Sequence, residues 1–236
     1  MRNQNWLKIW ENKALSDVED SHKVDGWDLL SIEEYRELVY SCLVGNEKDL
    51  LNPDLNIIEL GCGSGAFIEA LKLKYPLINI RGADYSPKLI KLACAKFRNL
   101  KFDLLDMMST KLVWEKTLGT KPFDVIFSYS TLYYLDEIKH VEEVLKKMLF
   151  ILSKTGKIII GEINDNSAIK EANNVRKISH KERKIVSKDI DADHLYLPKE
   201  LFISFAEENN LVASFLSLPE WYPASKYRYH VILEKN

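Results

Sequence analysis

Cysteine is nearly absent. Cys42, Cys62 and Cys94 are odd in number and unclustered, which argues against a disulfide scaffold and against a zinc site, so no metal is expected. No apolar stretch approaches the roughly 18–20 residues that a membrane-spanning helix needs. The opening MRNQNWLKIW has no apolar run of signal-peptide length, which sets the expectation of a soluble, cytoplasmic protein. An excess of one charge is missing too. Thirty-three Lys+Arg against 35 Asp+Glu leave a net charge of −2, so bulk charge points to no nucleic-acid partner. Internal repeats are lacking, and one basic stretch, 170–188, is the sole biased segment.

What is present is core material. Hydrophobic residues make up 46% and aromatics 11% of 236 residues, enough for one generous domain. Residues 1–50 are acidic, with eleven Asp+Glu against six Lys+Arg, and read as a cap of two helices. Trp6, Leu7 and Trp10 share one face of the first. The second opens at Ser31 with Glu34 three residues on, a capping box, and continues through Tyr35. From 51 to 236 short strands alternate with helices. Strands are predicted at Asn56–Leu60, Ile78–Ala83, Leu100–Leu105, Phe123–Ser128 and Lys157–Ile163. Between them lie helices from Ala66, from Ser86-Pro87 and over about Asp136–Leu152. This alternation implies an α/β fold with a mostly parallel sheet and helices on both faces. A late helix near Pro198–Glu208, then strands Leu211–Leu218 and Tyr227–Leu233, close it with an antiparallel pair. The expectation is a seven-stranded sheet with the last strand antiparallel, and a variable insertion over 164–195.

Gly61-Cys62-Gly63-Ser64-Gly65 lies between the first strand and its helix. Glycines there let the backbone turn tightly and let a ligand approach the main chain; the helix start presents free N–H groups. Asp84 ends the second strand about 20 residues later, where an acid can accept both ribose hydroxyl hydrogens. Asp106 ends the third, suited to an exocyclic adenine amine with Met107 over the ring. For Asp106 alone, a solvated loop acid is the competing reading.

These segments resemble the motifs of the class I S-adenosylmethionine-dependent methyltransferases. Ile57–Gly65 resembles the first motif, Gly82–Ser86 the acidic second, and Leu105-Asp106-Met107 the third. Phe123–Ser128 followed by Leu132-Tyr133-Tyr134-Leu135 is similar to the fourth. The resemblance implies a Rossmann-like fold and S-adenosylmethionine as cofactor, held by Glu59, Gly61, Cys62, Gly63, Asp84, Tyr85, Asp106, Met107, Ser128 and Tyr129. Tyr35, with Trp27, is expected near the pocket if the N-terminal cap closes over it. It also implies methyl transfer to a small-molecule acceptor, a sugar or secondary metabolite, with protein or RNA as the runner-up acceptor.

Gly61, Gly63 and Ala66 also satisfy a dinucleotide fingerprint, and Tyr222-Pro223-Ala224-Ser225-Lys226 resembles the Tyr-x-x-x-Lys pair of short-chain NAD(P)-dependent oxidoreductases. That pair needs a long helix, whereas Trp-Tyr-Pro reads as a loop. Two catalytic candidates are selected: His194 as a base or acceptor contact, and Tyr133, whose ring face could hold the sulfonium. His22 and His180 are expected to be solvated, His140 to lie on an exposed helix and His230 to be structural. Residues 170–188 carry +5; Arg176 or Arg183 there would clamp an anionic, phosphate-bearing acceptor.

Overall fold

The computed structural model describes residues 2–15, 20–175 and 194–235. The N-terminal segment forms three helices rather than two: α1 (Arg2–Lys13), α2 (Ser21–Val24) and α3 (Ile32–Ser41). The capping box at α3 is present. Ser31 Oγ accepts from Glu34 N at 3.2 Å, and Glu34 Oε2 from Ser31 N at 2.8 Å.

Seven strands follow: β1 (Ile57–Leu60), β2 (Ile80–Asp84), β3 (Phe102–Leu104), β4 (Phe123–Tyr129), β5 (Leu152–Asn164), β6 (Leu211–Ser217) and β7 (Arg228–Lys235). Their order is β3-β2-β1-β4-β5-β7-β6. The first five run parallel, while β7 lies antiparallel between β5 and β6. The connecting helices are α4 (Ala66–Lys74), α5 (Pro87–Lys96), α6 (Lys111–Leu118), α7 (Ile138–Ile151), α8 over 169–175, and α9 (Lys199–Glu208).

Two expected strand starts move inward because turns consume them. Ile78 N donates to Tyr75 O, and Leu100 N to Phe97 O, so β2 and β3 begin later. Helix α6 has no clear sequence signal: Trp114 and Leu118 are buried while the neighbouring Leu112 and Val113 are exposed, which blurs the apolar period.

Alternation along β1 divides the core. Ile58 and Leu60 join Trp114, Val144 and Phe202 on the face covered by α6, α7 and α9. Ile57 joins Phe67, Ile68, Phe127 and Ile232 on the other face, together with Tyr35, Val39 and Leu43 of the N-terminal segment. Glu59 points to that second face. Tyr40 Oη donates to Ala70 O at 2.9 Å, tying α3 to α4.

His230, fully buried in β7, ties α3 to the sheet. Its Nδ1 accepts from Glu162 N at 3.2 Å and its Nε2 lies 2.9 Å from Ser41 Oγ. The Ser41 hydroxyl donates to Leu38 O, so Nε2 carries the proton and the ring is neutral. Burial agrees, lowering its pKa to about 3. The structural role expected for His230 is what the geometry gives it. His22 corrects its expectation of solvation: it is buried, its ring stacks on Tyr35, and its Nε2 lies 3.1 Å from Leu30 O. His180, with Arg176, Lys177, Arg183 and Lys184, lies outside the described residues.

A folded pKa below the unfolded value means that His230 contributes stability above about pH 6.5, lost as pH falls toward 3. His230→Ala is expected to cost about 2–4 kcal/mol near neutrality. The gap to the native chain should narrow in acid, as read by urea unfolding. A gap independent of pH would show that the imidazole is not held neutral.

Candidate active site

The loop after β1 is suspended from the end of β2. Gly61 N and Cys62 N both donate to Ala83 O, at 2.7 and 3.1 Å. Gly63 N donates to Asp84 Oδ2 at 3.0 Å, and Ser86 N to Asp84 Oδ1 at 2.8 Å. Ser86 Oγ then caps α5 by accepting from Leu89 N. Asp84 therefore braces the loop from the next strand. Gly61, Gly63 and Gly65 have φ of 78°, 55° and 93°, the left-handed region that a side chain resists.

The free N–H groups at the start of α4 meet an unexpected partner. Asp25, just after α2, accepts from Ser64 N at 2.8 Å and Ala66 N at 3.2 Å. A Cβ on Gly63 would lie 2.6 Å from Asp25 Oδ1, so Gly63 is needed for this contact. Asp25, Glu59 and Asp84 bring three carboxyl groups to one place. Loss of hydration pushes Asp25 up to about 7 and Asp84 up to about 6, despite their N–H donors. Burial first, then Asp25 and Asp84, raise Glu59 well above the carboxylate range. Glu59 Oε2 is buried and has no hydrogen-bond partner among the described residues.

Above this floor lies a cavity of about 700 Å³. Glu59, Gly61, Cys62, Gly63, Asp84 and Tyr85 line it at the ends of β1 and β2. Asp106 and Met107 line it beyond β3, although Asp106 also closes its own turn by accepting from Met108 N. Tyr35 and Trp27 reach it from the N-terminal segment, their rings 5.6 Å apart. Tyr129, Tyr133 and His194 line it as well. Ser128 does not. It is fully buried inside β4 and its hydroxyl has no partner, because the sheet alternation turns it away from the residues at the rim.

His194 is set among aromatic rings. It stacks on Trp6 with centroids 5.1 Å apart, and Tyr133 and Tyr134 lie 4.8 and 5.0 Å away. Trp6 and Trp10 thus close the cavity from α1, both against Tyr134. Tyr222 lines the cavity, and residues Pro223–Lys226 form a single 3-10 turn, not the helix that a Tyr-x-x-x-Lys pair requires. Among the described residues no cluster of His, Cys, Asp and Glu could hold a metal.

A family model described as a methyltransferase domain matches residues 51–217. The chain belongs to this methyltransferase family. Its seven-stranded, Rossmann-like architecture is the class I S-adenosylmethionine-dependent fold expected from the motifs. Among curated members, the chain is 35% identical over 107 residues to a malonyl-[acyl-carrier protein] O-methyltransferase of Ilyobacter polytropus. That match covers 42% of this chain and 39% of the relative, so the chain spans about two fifths of its length. Similar folds include the N-methyltransferase NodS of Bradyrhizobium japonicum in complex with S-adenosylhomocysteine, with TM-score 0.63, 18% identity and 97% of both chains covered. Magnesium protoporphyrin IX methyltransferase of Synechocystis with bound S-adenosylmethionine gives TM-score 0.60 at 11% identity, covering 97% of this chain and 90% of that one.

Asp25 and Asp84 have folded pKa values above the unfolded carboxylate value. Their contribution to stability is present below about pH 3.8 and is lost as pH rises through 6 and 7. Asp25→Asn, which keeps one carbonyl acceptor, is expected to make the ligand-free protein melt higher than the native chain near pH 8, with the difference shrinking as pH falls and closing near pH 4. Scanning fluorimetry across that range checks it. Parallel melting curves at every pH would place Asp25 with ordinary surface carboxylates.

Proposed function

We propose that this chain transfers a methyl group from S-adenosylmethionine to a small-molecule acceptor enclosed between the sheet and the N-terminal helices. The observation that carries this reading is the cluster of three carboxyl groups, Asp25 with the buried Glu59 and Asp84, one of them with an oxygen that has no partner among the described residues, beneath a glycine loop in a large cavity. Such a site calls for a cationic ligand with hydroxyl groups, and the residues present fit this cofactor. S-adenosylmethionine, when bound, supplies a methyl group already activated on a sulfonium, together with an ammonium and a ribose.

The chain's own part is holding and aligning. Glu59 and Asp25 would hold the ammonium, Asp84 the ribose hydroxyls, and Asp106 with Met107 the adenine. Cys62 and Tyr85 would pack beside them. The tyrosines 35 and 129 offer ring faces to a sulfonium. His194, on the acceptor side, would take a proton from a hydroxyl acceptor, and Tyr133, which burial keeps protonated, would position that acceptor through its ring and its hydroxyl. Residues 1–50 act as the cap and 51–236 as the transferase domain, the cap supplying Trp6, Asp25 and Tyr35 to the cavity. Its aromatic enclosure favours a compact metabolite, such as a sugar or secondary metabolite, over a protein or RNA segment.

Calorimetry with S-adenosylhomocysteine tests the reading. Asp84→Ala is expected to weaken binding by about 1.5–3 kcal/mol, and Gly63→Val to abolish it by driving Asp25 off the loop. Unchanged affinity in Asp84→Ala would remove Asp84 from the ribose site.

A further inference from the structure

Arg228 opens β7 in the cavity wall, with a side chain only 10% exposed. Its Nε donates to Asn164 Oδ1 at 3.0 Å and its Nη1 to Glu162, whose side chain is fully buried. The rings of Tyr133 and Tyr227 lie 5.1 and 5.5 Å from the guanidinium carbon. Both attract the cation. Among the described residues Nη2 has no acceptor. A guanidinium has five N–H donors, and two are used here.

The counter-ion is positioned at a cost. Ile160 pairs with Val231 and Ile163 with Tyr229, so β5 carries one extra residue against β7. Glu162 sits in that bulge with φ of 63°. A non-glycine residue in this conformation is strained, and bulges of this kind re-aim side chains beside active sites. A buried ion pair adds little stability over apolar residues of equal volume. Stability alone therefore does not account for a strained strand that fixes an arginine with one end left over, in the wall of the cavity.

We propose that Arg228 anchors the acceptor by binding a carboxylate that the acceptor carries. This rests on the methyltransferase reading above and assigns its acceptor class: a small organic acid whose body lies among Tyr133, Tyr222 and Tyr227. The planar fork of arginine matches a carboxylate. A protonated amine in the same place would be repelled, and an amide oxygen would gain only a weaker bond. Glu162 balances the charge of the Arg228 guanidinium before the acceptor arrives, and the sulfonium end of the cavity would balance the added anion.

Saturation-transfer NMR with phenylacetate, phenylacetamide and phenethylamine, on the full chain with and without S-adenosylhomocysteine, tests the assignment. Phenylacetate is expected to bind at least about tenfold more tightly than the other two, the scale of a charge-assisted hydrogen bond. The preference should vanish in the double variant Arg228→Gln/Glu162→Gln, which removes both charges together. Calorimetric affinity of that variant for S-adenosylhomocysteine should match the native chain, showing that it folds. Equal binding of acid and amide, no binding of the acid, or an acid preference surviving in the double variant overturns the proposal. Acid binding by a native chain that does not bind S-adenosylhomocysteine would sink the methyltransferase reading and leave the anchor standing.

Discussion

The suspension of the glycine loop from the end of β2 is the constraint on which the rest of the site depends. Two N–H groups on one carbonyl and a third on Asp84 fix the loop before α4 begins. Because the loop cannot move, the first N–H groups of α4 point to one place, and Asp25 can reach them from the N-terminal segment. That contact sets where α2 and the start of α3 lie, hence where Trp27 and Tyr35 roof the cavity.

The cavity is electrically divided. Its floor at β1 and β2 gathers carboxyl groups whose proton affinity burial has raised. Its far wall, at β5 and β7, holds a guanidinium neutralised by one glutamate. The rings of Tyr35, Tyr129, Tyr133 and Tyr222 line the same space. A ligand that is cationic at one end finds only one orientation in such a space, so alignment follows from charge placement rather than from many separate contacts.

Much of this was legible in the sequence because it is local. The glycine loop, Asp84 and the Ser86-Pro87 helix start each follow a strand that the apolar pattern announces, and their spacing places them on one edge. Ser128 was placed at that edge by counting to the strand end, one residue short of where β4 stops. Asp25 was not legible: it is one acid among eleven in an acidic segment, and its partners lie 39 and 41 residues away. His22 has polar neighbours in sequence, so only the packing of Tyr35 reveals its burial. Glu162 did leave a trace, a lone charge in the apolar run Ile158–Ile163, which asks for a buried partner. The partner, Arg228, lies 66 residues on and could be named only once β7 was known to insert beside β5.

The hydrogen bond between Ser41 and His230 joins positions 189 residues apart. Contacts of that separation bear the largest loop-closure entropy and are the slowest to form. The parallel strands and their crossover helices can assemble from neighbours in sequence, and Asp25 and Tyr40 tie the roof to α4 across 30–41 residues, whereas the Ser41 tie waits for β7 to slot between β5 and β6. The N-terminal segment is thus stitched to the transferase sheet twice, once by short-range contacts to α4 and once by the most distant strand in the chain, so its far edge answers to β7 while its near edge answers to the glycine loop.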